Sequence, residues 1–362
     1  MKISKTKIII GYIAALMLSA CQNEPNTFDN FDYSTCYFGW QYPVRTLVLG
    51  TESYYDNSND LKHQFEIKAS LGGLYTNTKD IHVEFEIDPS LSDSLVIKNG
   101  TGPDSIRLRV LPSNYYEPIT ATSFIIPAGS MNGGFNIKLT DAFFNDPLAC
   151  TNKYVLPVRI LTAETDSVLK GRALGSAQKS LIPSVMSKWV IDPRVAANWV
   201  IKPQNFTVYA IKYINKYHGY YLRVGAEKET TIGVTASSKN YGREKKYIEY
   251  TTFIPKLTTV AMNKLLYADK MALTNVNFKA LIEVVADNSV TITKDPTSTT
   301  NVSGSGRFVS GVEEWGGKKR DAFYLNYTIS DPSTSKSYAV IDTLVIRDNA
   351  VAVETFAPII TR

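Results

Sequence analysis

The sequence predicts an all-β protein: an N-terminal antiparallel, immunoglobulin-like β-sandwich followed by a second β-sandwich or a small, lipocalin-like barrel. Three observations predict it. Apolar and polar residues alternate in short runs, the period of strands buried on one face. Pairs such as Gly72-Gly73, Asp88-Pro89, Asn99-Gly100, Gly102-Pro103 and Asp146-Pro147 punctuate those runs with turns. Only Val260 to Met271 reads as a short helix. Closely spaced strands without crossover helices assemble as sandwiches or barrels.

The chain has 362 residues, 44% hydrophobic and 20% charged. That is enough apolar material for a sizeable core in one or two domains. Residues 1–20 read as a lipoprotein signal peptide. Lys2, Lys5 and Lys7 precede an apolar run from Ile8 to Leu18, and Leu18-Ser19-Ala20-Cys21 follows. The run is too short for a typical membrane-spanning helix. Small residues at 19 and 20 suit a peptidase cleft, and the thiol of Cys21 is the expected lipid attachment point. A plain secretory signal with a coincidental cysteine is the competing reading. Cleavage before Cys21 takes the formal charge from +5 to +2, which leaves no electrostatic case for nucleic acid. Residues 21–30 are polar and read as a flexible tether. A lipid anchor without a second span ties a protein to one leaflet.

The first domain is expected over residues 31–165. Ile81, Val83, Phe85 and Ile87 alternate with His82, Glu84 and Glu86. Ile106, Leu108 and Val110, then Phe135, Ile137 and Leu139, then Leu156, Val158 and Ile160 repeat the pattern. From about Thr162 to Ser187 the chain is rich in Ser, Ala, Gly and Lys and has no aromatic residue. A linker is therefore placed at 166–198. The second domain, 199–362, opens with a long β-type run from Phe206 to Ile214. Further strands are expected at Tyr220 to Val224, Tyr247 to Ile254, Ala280 to Val285, Val290 to Thr293, Phe323 to Ile329, Tyr338 to Ile346 and Ala350 to Phe356. Asn288 reads as a hairpin turn. With Cys21 assigned to lipid, Cys36 and Cys150 are available either to pair in an oxidising compartment or to stay as buried thiols.

Enzyme motifs are missing. There is no Gly-x-Ser-x-Gly elbow, no phosphate-binding Gly-x-x-x-x-Gly-Lys-Ser/Thr loop, no His-Glu-x-x-His and no Cys-x-x-Cys. Gly304-Ser305-Gly306 lacks the third glycine and following helix of a dinucleotide site. No cofactor, metal or catalytic residue is expected. The aromatics carry more signal, with 22 Tyr and 15 Phe. Sugars present apolar C–H faces that stack on aromatic rings, and hydroxyl rims that bind Asp, Asn, Arg and Lys. Three segments combine these features: Tyr115 and Tyr116 within Asn114–Pro118, Tyr220 and Tyr221 after the long strand, and Trp315 with Arg320 and Asp321 on a Gly-flanked turn. Each has a structural alternative. Tyr115 and Tyr116 also suit the edge of the first core. Adjacent residues 220 and 221 face opposite sides of a strand, so one belongs to a core. Trp315 equally suits a barrel end.

Several runs resemble a known family. Phe31-Asp32-Tyr33-Ser34-Thr35-Cys36-Tyr37-Phe38, Gln41-Tyr42-Pro43-Val44-Arg45-Thr46, Leu111-Pro112-Ser113-Asn114-Tyr115-Tyr116, Ile125-Ile126-Pro127-Ala128-Gly129 and Leu139-Thr140-Asp141-Ala142-Phe143-Phe144 are similar to the N-terminal domain of Bacteroides surface lipoproteins. A related domain precedes the catalytic barrel of some family 18 endo-N-acetylglucosaminidases. Tyr213 to Tyr221 and Glu314 to Asp321 resemble a second domain that often accompanies it. The resemblance implies two all-β domains in a polysaccharide-utilisation system, on the outer membrane at the cell surface, beside a TonB-dependent transporter and its glycan-capturing partner lipoprotein. The catalytic barrel of the family 18 enzymes has no counterpart here. Asp93-Ser94-Leu95, Asp104-Ser105-Ile106, Asp166-Ser167-Val168 and Asp342-Thr343-Leu344 look like the glycosylation triplets of exported Bacteroidetes proteins.

The expected function is a non-catalytic, surface-anchored glycan-binding lipoprotein. The alternatives are an adhesin or assembly protein that binds other proteins, and an unrecognised glycoside hydrolase using carboxylates such as Glu314 or Asp321 near Trp315.

Overall fold

A computed structural model describes residues 28–51, 55–98, 105–177, 191–231, 234–242, 253–334 and 336–361. The signal peptide, Cys21, most of the tether, Asp104 and most of the strand expected at Tyr247 to Ile254 lie outside the described residues. The chain is nearly all β, as its period-two patterning dictates.

The first half contains β1 (Thr35–Tyr37), β2 (Pro43–Val48), a single helical turn α1 (Ser58–Leu61), β3 (Gln64–Gly72), β4 (Ile81–Ile87) and β5 (Leu95–Lys98). It continues through β6 (Ser105–Arg107), β7 (Arg109–Val110), β8 (Ser123–Ile126), β9 (Asn132–Lys138), α2 (Asp141–Phe144), β10 (Tyr154–Ala163) and β11 (Ser167–Val168). β12 (Arg172–Ala173), β13 (Trp199–Ile201) and β14 (Phe206–Ile214) follow. One sheet runs β11-β1-β3-β9. The other contains β2-β14-β10-β4-β8. Between them lie Phe65, Ile67, Val83, Phe135, Leu156, Val158 and Tyr213, with Phe85 stacked on Phe135 at 4.0 Å. The alternating residues of β3, β4 and β9 supply this core because their second face meets water.

The second half forms a barrel from β15 (Gly219–Thr231), β16 (Val234–Tyr241), β17 (Lys256–Ala261), β18 (Lys264–Lys270), β19 (Asn277–Val284), β20 (Ser289–Lys294), β21 (Asn301–Trp315), β22 (Lys318–Asp331) and β23 (Lys336–Asp348). β17 to β23 follow one another as antiparallel neighbours. β15 closes the ring by pairing with β23 on one side and β17 on the other, which makes eight strands, and β16 adds to the far half of β15. Closure removes the exposed edges that would invite aggregation. The interior is packed with Tyr221, Tyr267, Phe278, Phe323, Tyr327, Leu344 and other apolar side chains. Gly304 makes room for them: a Cβ there would lie 2.4 Å from that of Tyr327. The chain then returns to the sandwich, where β24 (Glu354–Thr355) pairs with β2 and β25 (Ile359–Ile360) pairs with β5.

Three elements differ from the sequence reading. Phe206–Ile214, read as the start of the second strand series, is β14 and lies between β2 and β10 of the sandwich. Its neighbours bury both faces: Ile211 and Tyr213 enter the main core, while Phe206, Val208 and Ala210 pack under Leu91, Leu95 and Leu108. Val260 to Met271 is not a helix but the β17–β18 hairpin, with Leu265 and Tyr267 turned into the barrel. Cross-strand pairing outweighs a local helical spacing when the apolar side chains can reach an enclosed core. Ala350 to Phe356 contains only the two-residue β24. Asn288 does sit in the β19–β20 turn, with φ of 63°. Cys36 and Cys150 are both free thiols, and burial pushes Cys36 up to about 12 and Cys150 up to about 11.

Candidate functional site

The expected site residues fall in separate places. Tyr115 is half-buried against the sandwich core, edge-on to Phe143 and Tyr154, and its hydroxyl donates to Asp146 at 3.0 Å. Tyr116 also packs on that core and bridges to Leu139. Both therefore take the structural role that competed with sugar binding. Tyr221 points into the barrel, fully buried, and its hydroxyl donates to the Tyr217 carbonyl at 2.7 Å. It offers no surface to a ligand, and this corrects its place among the binding residues. Tyr220 faces outward, 37% exposed, with the Lys256 ammonium 5.6 Å from its ring centre.

Arg320 reaches across to the carbonyls of Ile346 and Arg347 on β23. The Asp321 carboxylate accepts from the Ser310 hydroxyl at 2.6 Å and from Gly311 N–H at 2.8 Å, which fixes the bulge where Gly311 has φ of 61°. Trp315 ends β21 opposite Lys318, and its side chain lies outside the described residues. Tyr220, Arg320 and Asp321 thus share one end of the barrel, separated by β23, while Tyr115 and Tyr116 belong to the sandwich.

Two further features were missed in the sequence. The first is a cleft of about 320 Å³ on the outer side of the sandwich. Trp40 stands at its mouth, 70% exposed. Tyr42, Phe206 and Phe356 form its floor, with ring centres 6.2 Å (Tyr42–Phe206) and 5.6 Å (Tyr42–Phe356) apart in edge-on contact. Gln41, Lys202 and Thr355 add polar groups. Backbone pairing fixes the segment, because the Trp40 carbonyl accepts from the Thr207 hydroxyl and the Gln41 carbonyl from Val208 N–H, both at 2.8 Å. Arg194 forms a rigid wall, its guanidinium taken up by both oxygens of Asp192 and by the carbonyls of Leu91 and Asp93. Burial pushes the Tyr42 hydroxyl up to about 12, so at neutral pH it stays a protonated donor. The signal available in the sequence was Trp40-Gln41-Tyr42 beside a turn, but its partners lie more than 150 residues away.

The second is a polar cluster inside the barrel. Arg223 is fully buried and donates from Nε to Asp342 at 2.9 Å, from Nη2 to Glu227 at 3.0 Å, and from Nη1 to Asp269 at 3.2 Å and the Lys270 carbonyl at 2.9 Å. Asp342 also accepts from the hydroxyls of Tyr241, Tyr267 and Tyr327. Burial holds these three hydroxyls far above their ordinary range, so they remain donors. Glu227 is completed by the N–H groups of Ala272 and Leu273, each at 2.9 Å. Gly225 leaves the room Asp342 occupies: a Cβ there would lie 2.4 Å from Oδ1. With its partners satisfied internally, the cluster is a polar core rather than a reaction centre. Among the described residues, no group of His, Cys, Asp and Glu side chains stands where it would hold a metal ion, and no helix is long and apolar enough to cross a membrane.

Fold and surface define a two-part all-β protein, a sandwich joined to a closed eight-stranded barrel. The chain belongs to the family of a Bacteroides ovatus protein of unknown function whose crystal structure is 32% identical, covers 91% of this chain and 100% of that one, and superposes with a TM-score of 0.75. Residues 28–167 match a family described as "-like, N-terminal domain", and residues 216–350 match a domain of unknown function (DUF5627). The second match begins after β14, at the joint between the halves. A multidomain protein including DUF1735, also from Bacteroides ovatus, is 13% identical over 89% of this chain and 100% of that one, with a TM-score of 0.37. None of the curated proteins matches the chain.

Proposed function

We propose that the protein is a non-catalytic glycan-binding lipoprotein, anchored through Cys21 to the outer membrane, that holds polysaccharide at the cell surface for a polysaccharide-utilisation system. Its partners would be the glycan, the lipid leaflet, and a TonB-dependent transporter with its glycan-capturing lipoprotein. The observation that carries this reading is the cleft at Trp40: an exposed indole in a cleft also lined by Tyr42, Phe206 and Phe356 and by the amide of Gln41, the ammonium of Lys202 and the hydroxyl of Thr355. A sugar ring would stack its C–H face on Trp40 while Gln41, Lys202 and Thr355 meet its hydroxyls. Such single sites bind weakly, and tethering on one membrane raises their effective concentration. The Bacteroides kinship supports the same setting.

The test is native gel electrophoresis in a panel of polysaccharides, with the same samples assayed for new reducing ends. Retardation by at least one neutral glycan without reducing ends is expected, and Trp40→Ala abolishes it. Reducing ends would replace this reading with a hydrolase, and no retardation across the panel would replace it with a protein-binding role.

A further inference from the structure

A crevice of about 600 Å³ opens where the sandwich meets the barrel. Leu49 and His63 wall it from the sandwich, Lys216 and Tyr217 from the joint, Met262 and Asn263 from the β17–β18 turn, and Val284, Val285, Ala286 and Asn288 from the end of β19 and the turn after it. The joint is held firmly. Asn215 donates from its side chain to the Ala261 carbonyl at 2.9 Å and from its backbone to the Thr259 hydroxyl at 3.0 Å. His63 is fixed by its ring, 4.1 Å from that of Phe144.

The polarity of the crevice is specific. The Lys216 ammonium lies 5.0 Å from the ring centre of Tyr217 and 5.9 Å from that of Phe308, and among the described residues no carboxylate reaches it. Of the acids next to the lining residues in sequence, Glu283 pairs with Lys264 at 2.8 Å and accepts from the Asn263 amide at 3.5 Å, while Asp287 accepts from Ser289 N–H at 2.9 Å within its own turn and keeps its charge. An exposed cation over aromatic rings, in a crevice also lined by apolar Met262 and Val285 and by Asn263 and Asn288, is complementary to a ring with one apolar face, several hydroxyls and one negative charge.

We propose that this crevice is a second binding site, for a sugar residue carrying a carboxylate or sulfate group. Lys216 takes the anionic group, Asn263 and Asn288 the hydroxyls, and Met262 and Val285 the C–H face. The site rests on glycan capture as the general role but shares no residue with the Trp40 cleft, so the two are tested separately.

The experiment is calorimetric titration of the purified protein with trigalacturonate, a sulfated chondroitin disaccharide and neutral maltotriose. The Lys216→Met and Trp40→Ala variants are titrated alongside. Met keeps the aliphatic stem over Tyr217 and removes only the charge. Binding of at least one acidic probe but not maltotriose is expected, and the probe that binds separates carboxylate from sulfate. Lys216→Met weakens it by about tenfold or more, and roughly 0.5 M salt weakens it as well. Trp40→Ala leaves it unchanged. Absence of acidic-probe binding, maltotriose binding of equal strength that survives Trp40→Ala, or acidic-probe affinity unchanged in a folded Lys216→Met protein would each overturn the proposal. Loss in Trp40→Ala instead would move the acidic sugar to the aromatic cleft and overturn it equally.

Discussion

His218 is buried at the joint, where its Nδ1 accepts the Thr259 N–H at 3.0 Å. Only a neutral ring can accept there. Burial, reinforced by Lys256 and Lys212, holds its pKa down at about 3 from an ordinary 6.5. Between those values the unfolded chain binds a proton that the folded protein refuses, so stability falls as pH drops through the window. Urea midpoints measured from about pH 6.5 to 5, above the ordinary carboxylate range, isolate the effect. His218→Asn is expected to flatten that slope; an unchanged slope would remove His218 as its source. Arg223 makes a complementary case. Arg223→Met leaves Asp342 and Glu227 buried without their cation and is expected to destabilise the protein by about 3–5 kcal/mol in denaturant unfolding. The Arg223 cluster was not legible in the sequence, where Arg223 is one charge on an alternating strand and Asp342 looked like part of a glycosylation triplet.

The C-terminal return strands act as a strap. β24 covers the edge of β2, Lys212 pairs with Glu354 at 2.7 Å, and Phe356 completes the floor under Trp40. Removing residues 351–361 opens the β2 edge to pairing with other chains. The shortened protein is expected to melt lower by at least about 2–4 °C, to self-associate, and to lose glycan retardation although Trp40 is still present. Thermal unfolding, size-exclusion chromatography and the gel assay check the three outcomes. At this scale the sequence was partly legible. Alternation located β4, β9 and β10 because one-sided burial imposes it, whereas the strap is two short pairings whose only partners are distant in the chain.

The two halves are unequal as folding units. A fragment of residues 28–204 lacks β14, so both β2 and β10 lose their central partner, and the fragment also lacks β24 and β25. It is expected to show no cooperative thermal transition. A fragment of residues 215–349 keeps all eight barrel strands, their aromatic interior and the Arg223 cluster, and is expected to unfold cooperatively by circular dichroism. Two cooperative transitions would show that β14 is dispensable to the sandwich.

The sequence by itself determined the all-β class, a sandwich followed by a second β domain, and most strand positions, because alternation and turn residues are local consequences of a sheet with one wet face; whether the second domain is a sandwich or a barrel was left to the tertiary structure. It could not decide which strands pair. β14 reads as the first strand of the second domain, and only pairing with β2 and β10 and burial on both of its faces place it in the sandwich. Tertiary structure also decided which aromatics meet solvent. Tyr115, Tyr116 and Tyr221 share the composition of a sugar platform yet are held in or against cores. Trp40 is left exposed at the cleft that Tyr42, Phe206 and Phe356 line, because exposure depends on what packs above a ring and not on the residues beside it in the chain.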